Sequence, residues 1–255
     1  GTANRKEHRV KLFSSFCFAT LIVAATAILS AAQVSAKDKS AIEEIVRQYI
    51  LENPEVITEA LERLQERERL AQEKVQQHAL KQSAAALYQH PMTPEHGNPK
   101  GDAVVVEFFD YQCGYCKRVL PSLMEAIDSD KNLRVIWKEL PILGPVSRFA
   151  ARAAMASDKQ GKYLEYHIAL MTLRGRLTEK RVMETAKSVG LDMGRLIEDM
   201  RSPKIDRYLD ETLQLAESLG INGTPAFLIG NQLVPGAISA DQMRQIIAQS
   251  RETKG

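Results

Sequence analysis

Cysteine is scarce in this chain: three in 255 residues, with Cys17 lying inside an apolar run near the start. There is one tryptophan, Trp137, and aromatic residues make up only 6%. Neither sign of charge is in excess, with 34 Lys and Arg against 32 Asp and Glu. Each shortage excludes something. Without a basic surplus there is nothing to attract nucleic acid. Structural zinc normally takes four ligands. Here one Cys-x-x-Cys pair has no second pair, and His78, His90, His96 and His167 stand at no ligand-like spacing from it. No internal repeat or low-complexity tract is present.

What is there begins with a leader-like segment. Arg5, Lys6, Arg9 and Lys11 precede an apolar run from Leu12 to Leu29, and Val34-Ser35-Ala36 offers the small residues a signal peptidase reads. A membrane-spanning helix is the competing reading, since a bilayer needs roughly 20 apolar residues. The small residues and the soluble pattern that follows favour a removed leader over residues 1–36. Cys17 would leave with it. Four basic residues and one acidic residue would go too, so the remaining 219 residues carry 30 basic and 31 acidic side chains. In an oxidising compartment the one remaining cysteine pair becomes significant, because disulfides are made and exchanged there.

Two regions follow. Residues 37–86 read as a charged helical stalk. Ile42, Ile45, Val46, Tyr49 and Ile50 form one apolar stripe. Asn53-Pro54 reads as an N-cap and first helical residue opening a second helix. That helix carries Ile57, Leu61, Leu64, Ala71 and Val75 at near-heptad spacing. The stripe is too narrow to make a core alone, which points to pairing with sister chains; the plainer reading is an arm packed on its own domain. Residues 90–101 hold three prolines and two glycines and read as a linker, with Leu87 and Tyr88 before it as a short edge strand.

From residue 87 onward the pattern is mixed α/β. Residues 103–109 and 133–138 read as strands joined through a helix that opens at the cysteines, which implies parallel pairing. Residues 145–219 read as a helical insert. Strands at 226–229 and 232–234 flank a Gly230-Asn231 hairpin turn, and a last helix is capped at Ser239.

Two positions carry the chemistry. Cys113 and Cys116 sit where a strand gives way to a helix, and a helix N-terminus stabilises a thiolate. That is the arrangement thiol–disulfide exchange needs. Far along the chain, Gly223-Thr224-Pro225-Ala226 puts a proline at a strand entrance. A cis Thr224–Pro225 bond there would make a sharp turn and leave the Thr224 backbone free to pair with an incoming chain. A trans proline at a strand edge is the plainer alternative.

With these motifs, and with Glu107 to Lys117 and Lys138-Glu139-Leu140-Pro141-Ile142-Leu143-Gly144, the chain resembles the thioredoxin superfamily over about Leu87 to Arg251. Within it the chain is similar to bacterial periplasmic DsbA-like oxidoreductases with a helical insert. The resemblance implies a thioredoxin fold, Cys113 as attacking sulfur, Cys116 as resolving sulfur and a cis Pro225 beside them. It also implies that Glu107 is the buried carboxylate that takes the proton of Cys116; a surface-facing strand residue is the plainer alternative, and Lys138 on the adjacent strand is a candidate partner for it. The Gly114-Tyr115 pair and Thr224 look like the dimeric disulfide isomerase DsbC. The helical insert and stalk do not, and together they resemble the oligomeric DsbA-like group that includes ScsC-type proteins and Com1 antigens.

The expected function is therefore periplasmic disulfide isomerisation or oxidation of exported proteins by a homo-oligomer. No cofactor is needed beyond the Cys113–Cys116 disulfide. The expected partners are misoxidised clients and a membrane redox protein. Two alternatives stand beside it: a net dithiol oxidase, and a copper-binding or holdase protein using the same thiols. Phe109, Tyr111 and Tyr115 are candidates for holding unfolded chains, or else core residues.

Overall fold

The structure, a computed structural model, describes residues 35–252. The leader expected over residues 1–36 lies outside the described residues, apart from Ser35 and Ala36. The chain divides into two compact units at Arg69/Leu70. No helix among the described residues is long and apolar enough to cross a membrane.

In the first unit, α1 spans Ala36–Glu52 and α2, Glu55–Gln82, begins. Ser35 caps α1 by accepting from the Asp38 backbone N–H at 3.2 Å. Asn53 does not act as the side-chain N-cap of α2. Its amide turns back and donates to the Tyr49 carbonyl at 2.9 Å, closing the end of α1 instead. The expected stripe is exposed along its length: Ile45 is 67% accessible, and Ile42, Tyr49, Ile57, Leu61 and Leu64 are likewise open.

The second unit contains the end of α2, the short α3 (Ala84–Tyr88) and a five-stranded sheet ordered β1-β3-β2-β4-β5. The strands are β1 Glu95–Gly97, β2 Ala103–Phe109, β3 Leu133–Glu139, β4 Ala226–Ile229 and β5 Gln232–Pro235. Only β2 and β3 are parallel; the other pairs run antiparallel. This topology, with helices inserted between β3 and β4, is the expected thioredoxin fold. Two local expectations fail. Leu87-Tyr88 is helical, because Leu87 is buried against the apolar side of the sheet rather than paired at its edge. The linker also contains β1, since the proline-free triplet after Pro94 finds partners in β3, where Trp137 N–H donates to the Pro94 carbonyl at 2.9 Å.

Strand alternation divides the core in two. Val105, Phe109, Val135 and Trp137 face one layer, covered by α4 (Gly114–Ser129) and α10 (Ala240–Glu252). Val106, Phe108 and Ile136 face the other, covered by Leu80, Leu87 and the end of α9 (Pro203–Ser218). The insert comprises α5 (Pro145–Asp158), α6 (Tyr163–Thr172), α7 (Glu179–Ser188), α8 (Met193–Asp199) and α9. Alanines 150, 151, 153, 154 and 156 of α5 are fully buried, and such small side chains let neighbouring helices approach closely. Proline at the first turn starts α5 and α9. Gly220, at φ +72°, ends α9 in a Schellman-type turn in which Ile221 N–H donates to the Ala216 carbonyl at 2.8 Å. The chain is thereby turned toward Thr224 and Pro225.

Candidate active site

The loop between β2 and α4 is held by a buried aspartate. Asp110 accepts from Gln112 N–H at 2.7 Å, Ser147 Oγ at 2.6 Å and Leu143 N–H at 2.9 Å. Cys113 N–H donates to the Asp110 carbonyl at 3.0 Å. These bonds fix Cys113 as the N-cap of α4, with extended backbone angles. Burial raises the Asp110 pKa, and the bonds from Ser147 and the loop amides oppose that rise.

At the cap the two sulfurs differ sharply. Cys116 N–H donates to Cys113 Sγ at 3.2 Å, and the Cys113 thiol reaches the Thr224 carbonyl at 3.2 Å. The Thr224–Pro225 bond is cis. The Cys113 pKa falls to about 6, chiefly through its side-chain hydrogen bond with Cys116. Burial opposes the fall, and bonds from the Thr224 side chain and from the Cys116 and Tyr115 amides reinforce it. Cys116 is fully buried, and burial first, then the Cys113 sulfur and Glu107, drive its pKa far up. Cys113 and Cys116 are both free thiols.

Glu107 is fully buried, and neither carboxylate oxygen has a hydrogen-bond partner. Burial, and then the charge of Cys113, push its pKa well above the carboxylate range. It does not pair with Lys138. In the β2/β3 register Glu107 lies beside Trp137, and Lys138 beside Phe108. Alternation therefore sends the two side chains to opposite faces. Lys138 Nζ donates instead to the Ala86 carbonyl and Thr93 Oγ1, each at 2.7 Å. The structure thus gathers Cys113, Cys116 and Thr224, with Pro225 joined to Thr224, and separates Lys138 from Glu107.

Phe109 and Tyr111 belong to the core, and only Tyr115, at 60% exposure, remains open to a client. Behind the loop lies a cluster the sequence reading missed. Tyr111 and Tyr163 both donate to Glu139 Oε1 at 2.8 Å, and Tyr111 Oη lies 3.1 Å from His167 Nδ1. Burial lifts the Glu139 pKa to about 8 and lowers that of His167 to about 3. An acidic residue closing an apolar strand was the only signal for it in the sequence. Among the described residues, no group of three or more His, Cys, Asp or Glu side chains is placed to hold a metal ion.

A thioredoxin fold with two unequal thiols at a helix cap, opposite a cis-proline turn, defines the class of the dithiol–disulfide proteins. A family model described as "DSBA-like thioredoxin domain" matches residues 104–248, and the chain belongs to that family. Proteins of this family use a redox-active cysteine pair and no external cofactor. A second model, "Copper resistance protein ScsC N-terminal domain", matches residues 38–71.

A thioredoxin-like oxidoreductase from Silicibacter pomeroyi is similar at 42% identity and a TM-score of 0.64, covering 66% of this chain and 97% of that one. Proteus mirabilis ScsC in a transitional conformation is 28% identical with a TM-score of 0.64, over 86% of this chain and 100% of that one. The thiol:disulfide interchange protein DsbA of Bordetella pertussis is 27% identical, over 68% of this chain and 89% of its own length. Other curated relatives are Na+/H+ antiporters, among them one from Salinispora arenicola at 25% identity over 63% of this chain. The chain spans about a quarter of the length of these relatives.

Proposed function

We propose that the chain catalyses thiol–disulfide exchange on exported proteins in the periplasm, with Cys113 attacking and Cys116 resolving. The observation that carries this reading is the asymmetry of the pair. One sulfur is an anion above about pH 6 at the helix cap, and the other is buried as a thiol within hydrogen-bond reach.

The chemistry runs in two displacements. The Cys113 thiolate attacks one sulfur of a client disulfide, forming a mixed disulfide and releasing the other client sulfur as a thiolate. That thiolate can attack a further client disulfide, and the thiolate released there attacks the mixed disulfide and frees Cys113, so the client is reshuffled without net redox change. Otherwise Cys116 attacks Cys113 Sγ and expels the client as a dithiol, its proton passing to Glu107, which ionises more readily once the mixed disulfide has removed the Cys113 charge. In reverse, a client thiolate attacks the Cys113–Cys116 disulfide and the client leaves oxidised. Thr224, whose carbonyl Cys113 already touches, presents main chain to the client beside Pro225.

Isomerisation is the reading the arm supports. Its apolar stripe has no cover within the described residues, and the ScsC-type match falls on the same segment. An assembly of sister chains would place several Cys113 sulfurs around one client. Net oxidation is the second reading, favoured by the stabilised thiolate, since a stabilised reduced form makes the disulfide more oxidising.

The test is the solution mass and the refolding of a scrambled disulfide protein, for the native chain and for an Ile45→Asp/Tyr49→Asp variant. The isomerase reading expects an oligomer that dissociates and loses reshuffling while still oxidising a dithiol peptide. A native chain that oxidises the peptide without reshuffling leaves net oxidation, and reshuffling that survives dissociation or is shown by a monomer removes the arm's part in it. No exchange by either chain defeats both readings.

A further inference from the structure

A cleft of about 710 Å3 opens beside the proposed nucleophile, between the first turns of α4 and residues 173–177. Pockets of this size accept small ligands or a few residues of an extended chain. Gln112 and Gly114, on either side of Cys113 in sequence, line its near end. Its floor is apolar and buried, from Met171 and Leu177.

The cleft's charge is one-sided, although the chain as a whole is nearly balanced, with 34 basic and 32 acidic residues. Lys117, Arg118, Arg174 and Arg176 all line it. The wall is built by cations holding main chain. Lys117 Nζ donates to the Leu173 carbonyl at 2.8 Å, and Arg181 Nη1 donates to the Arg176 carbonyl at 2.8 Å. Gly175, at φ +78°, supplies the left-handed turn between the two arginines. Among the described residues, Arg118, Arg174 and Arg176 enter no ion pair. Arg118 stacks instead on exposed Tyr115, 4.1 Å from the ring centre, at the rim nearest the sulfurs. Crowded, unpaired cations in a concave wall focus potential toward an incoming anion.

From this we infer that the cleft is a subsite for an acidic stretch of client polypeptide flanking the cysteine under attack. The inference rests on the exchange reading proposed above and adds a substrate preference to it. A client joined through Cys113 Sγ has Thr224 on one side and the cleft on the other. Carboxylates two or three residues from the client cysteine then lie within reach of Arg174 and Arg176.

The experiment compares the full chain's exchange rate with two disulfide peptides of one sequence, flanked by glutamates or by lysines. At low ionic strength the acidic peptide should react about tenfold faster, since electrostatic steering acts on association rates. The ratio should shrink toward one at high salt, where the charges are screened. An Arg174→Glu/Arg176→Glu variant should invert the ratio, which partial misfolding cannot do. A Lys204→Glu/Arg207→Glu variant changes net charge equally on α9 and should leave the ratio above five. A salt-independent ratio near one in the native chain overturns the subsite and leaves the exchange reading standing. An equal effect from the α9 variant also overturns it, by assigning the preference to net charge. Failure to exchange with either peptide overturns the exchange reading itself.

Discussion

Glu107 is the residue whose environment states most. A carboxyl with both oxygens unpartnered in the core holds its proton far above the usual range, because burial penalises the anion. Replacing it with glutamine should slow the Cys116-dependent decay of a mixed disulfide about 10²-fold, in line with the loss of a general base. Trapping that species with a single-cysteine peptide and following its release checks the role. The substitution also has a stability signature. Above the ordinary carboxylate pKa of 4.5 the unfolded chain releases this proton while the folded chain keeps it. Folding therefore weakens as pH rises through that window. Glu107→Gln removes the loss, so the variant should gain stability over the native chain from pH 4.5 upward, read by denaturant unfolding. A constant offset across pH would show the carboxyl to be solvated.

At the scale of elements, Lys138 ties β3 to the segment around α3 through the Ala86 carbonyl and Thr93 Oγ1. Burial depresses its pKa from 10.5 to about 8. Below pH 8 both states carry the charge. Between pH 8 and 10.5 the unfolded chain binds the extra proton, so folding strengthens as pH rises. Set against Lys138→Met, the native chain should gain stability across that window, and the difference should be flat below it. The β4–β5 hairpin gives a simpler prediction. Gly230 has φ +60°, and a Cβ there would lie 2.9 Å from Ser250 Cβ on α10. Gly230→Ala should cost on the order of 2 kcal/mol, from the left-handed backbone and the displaced helix together. A loss below about 0.5 kcal/mol in thermal unfolding would contradict the packing.

These elements also show where reading from sequence succeeds and where it stops. Strand β2, with its β-branched run, and the hairpin around Gly230-Asn231 were legible because local chemistry decides them. So was the cap position of Cys113. Strand β1 was not, since its three residues are held by β3, distant in sequence, against a local surplus of proline and glycine. The Glu107–Lys138 pair failed by one position of register. Counting the pleat from Val105 opposite Val135 puts Trp137, not Lys138, beside the glutamate. Glu139 ends β3, Tyr111 lies in the loop before α4, and Tyr163 and His167 share α6, so only the last two are linked by spacing before the chain folds.

For the whole molecule, the depressed Cys113 pKa couples redox state to folding. The reduced folded chain loses this proton at about pH 6, and the unfolded chain at about 8.5. Stability from the thiolate is therefore lost as pH falls through 6 and grows from there toward 8.5. The disulfide form has no such proton. The reduced chain should unfold at a higher temperature than the oxidised chain at pH 8, and the gap should narrow steadily toward pH 5. Equal midpoints at both pH values would mean that the sulfur titrates as a free cysteine does.

Gly114 stands between the two sulfurs with nothing within 4 Å of where a Cβ would project, and its backbone angle is not a left-handed one. The scaffold therefore tolerates other side chains at that point without repacking. A cationic or an anionic side chain grafted there would bring its charge within one residue of the thiolate, the first making the couple a harsher oxidant and the second a gentler one. The midpoint potential of this protein is thus a tunable property, adjustable at one codon while the surrounding architecture stays as it is.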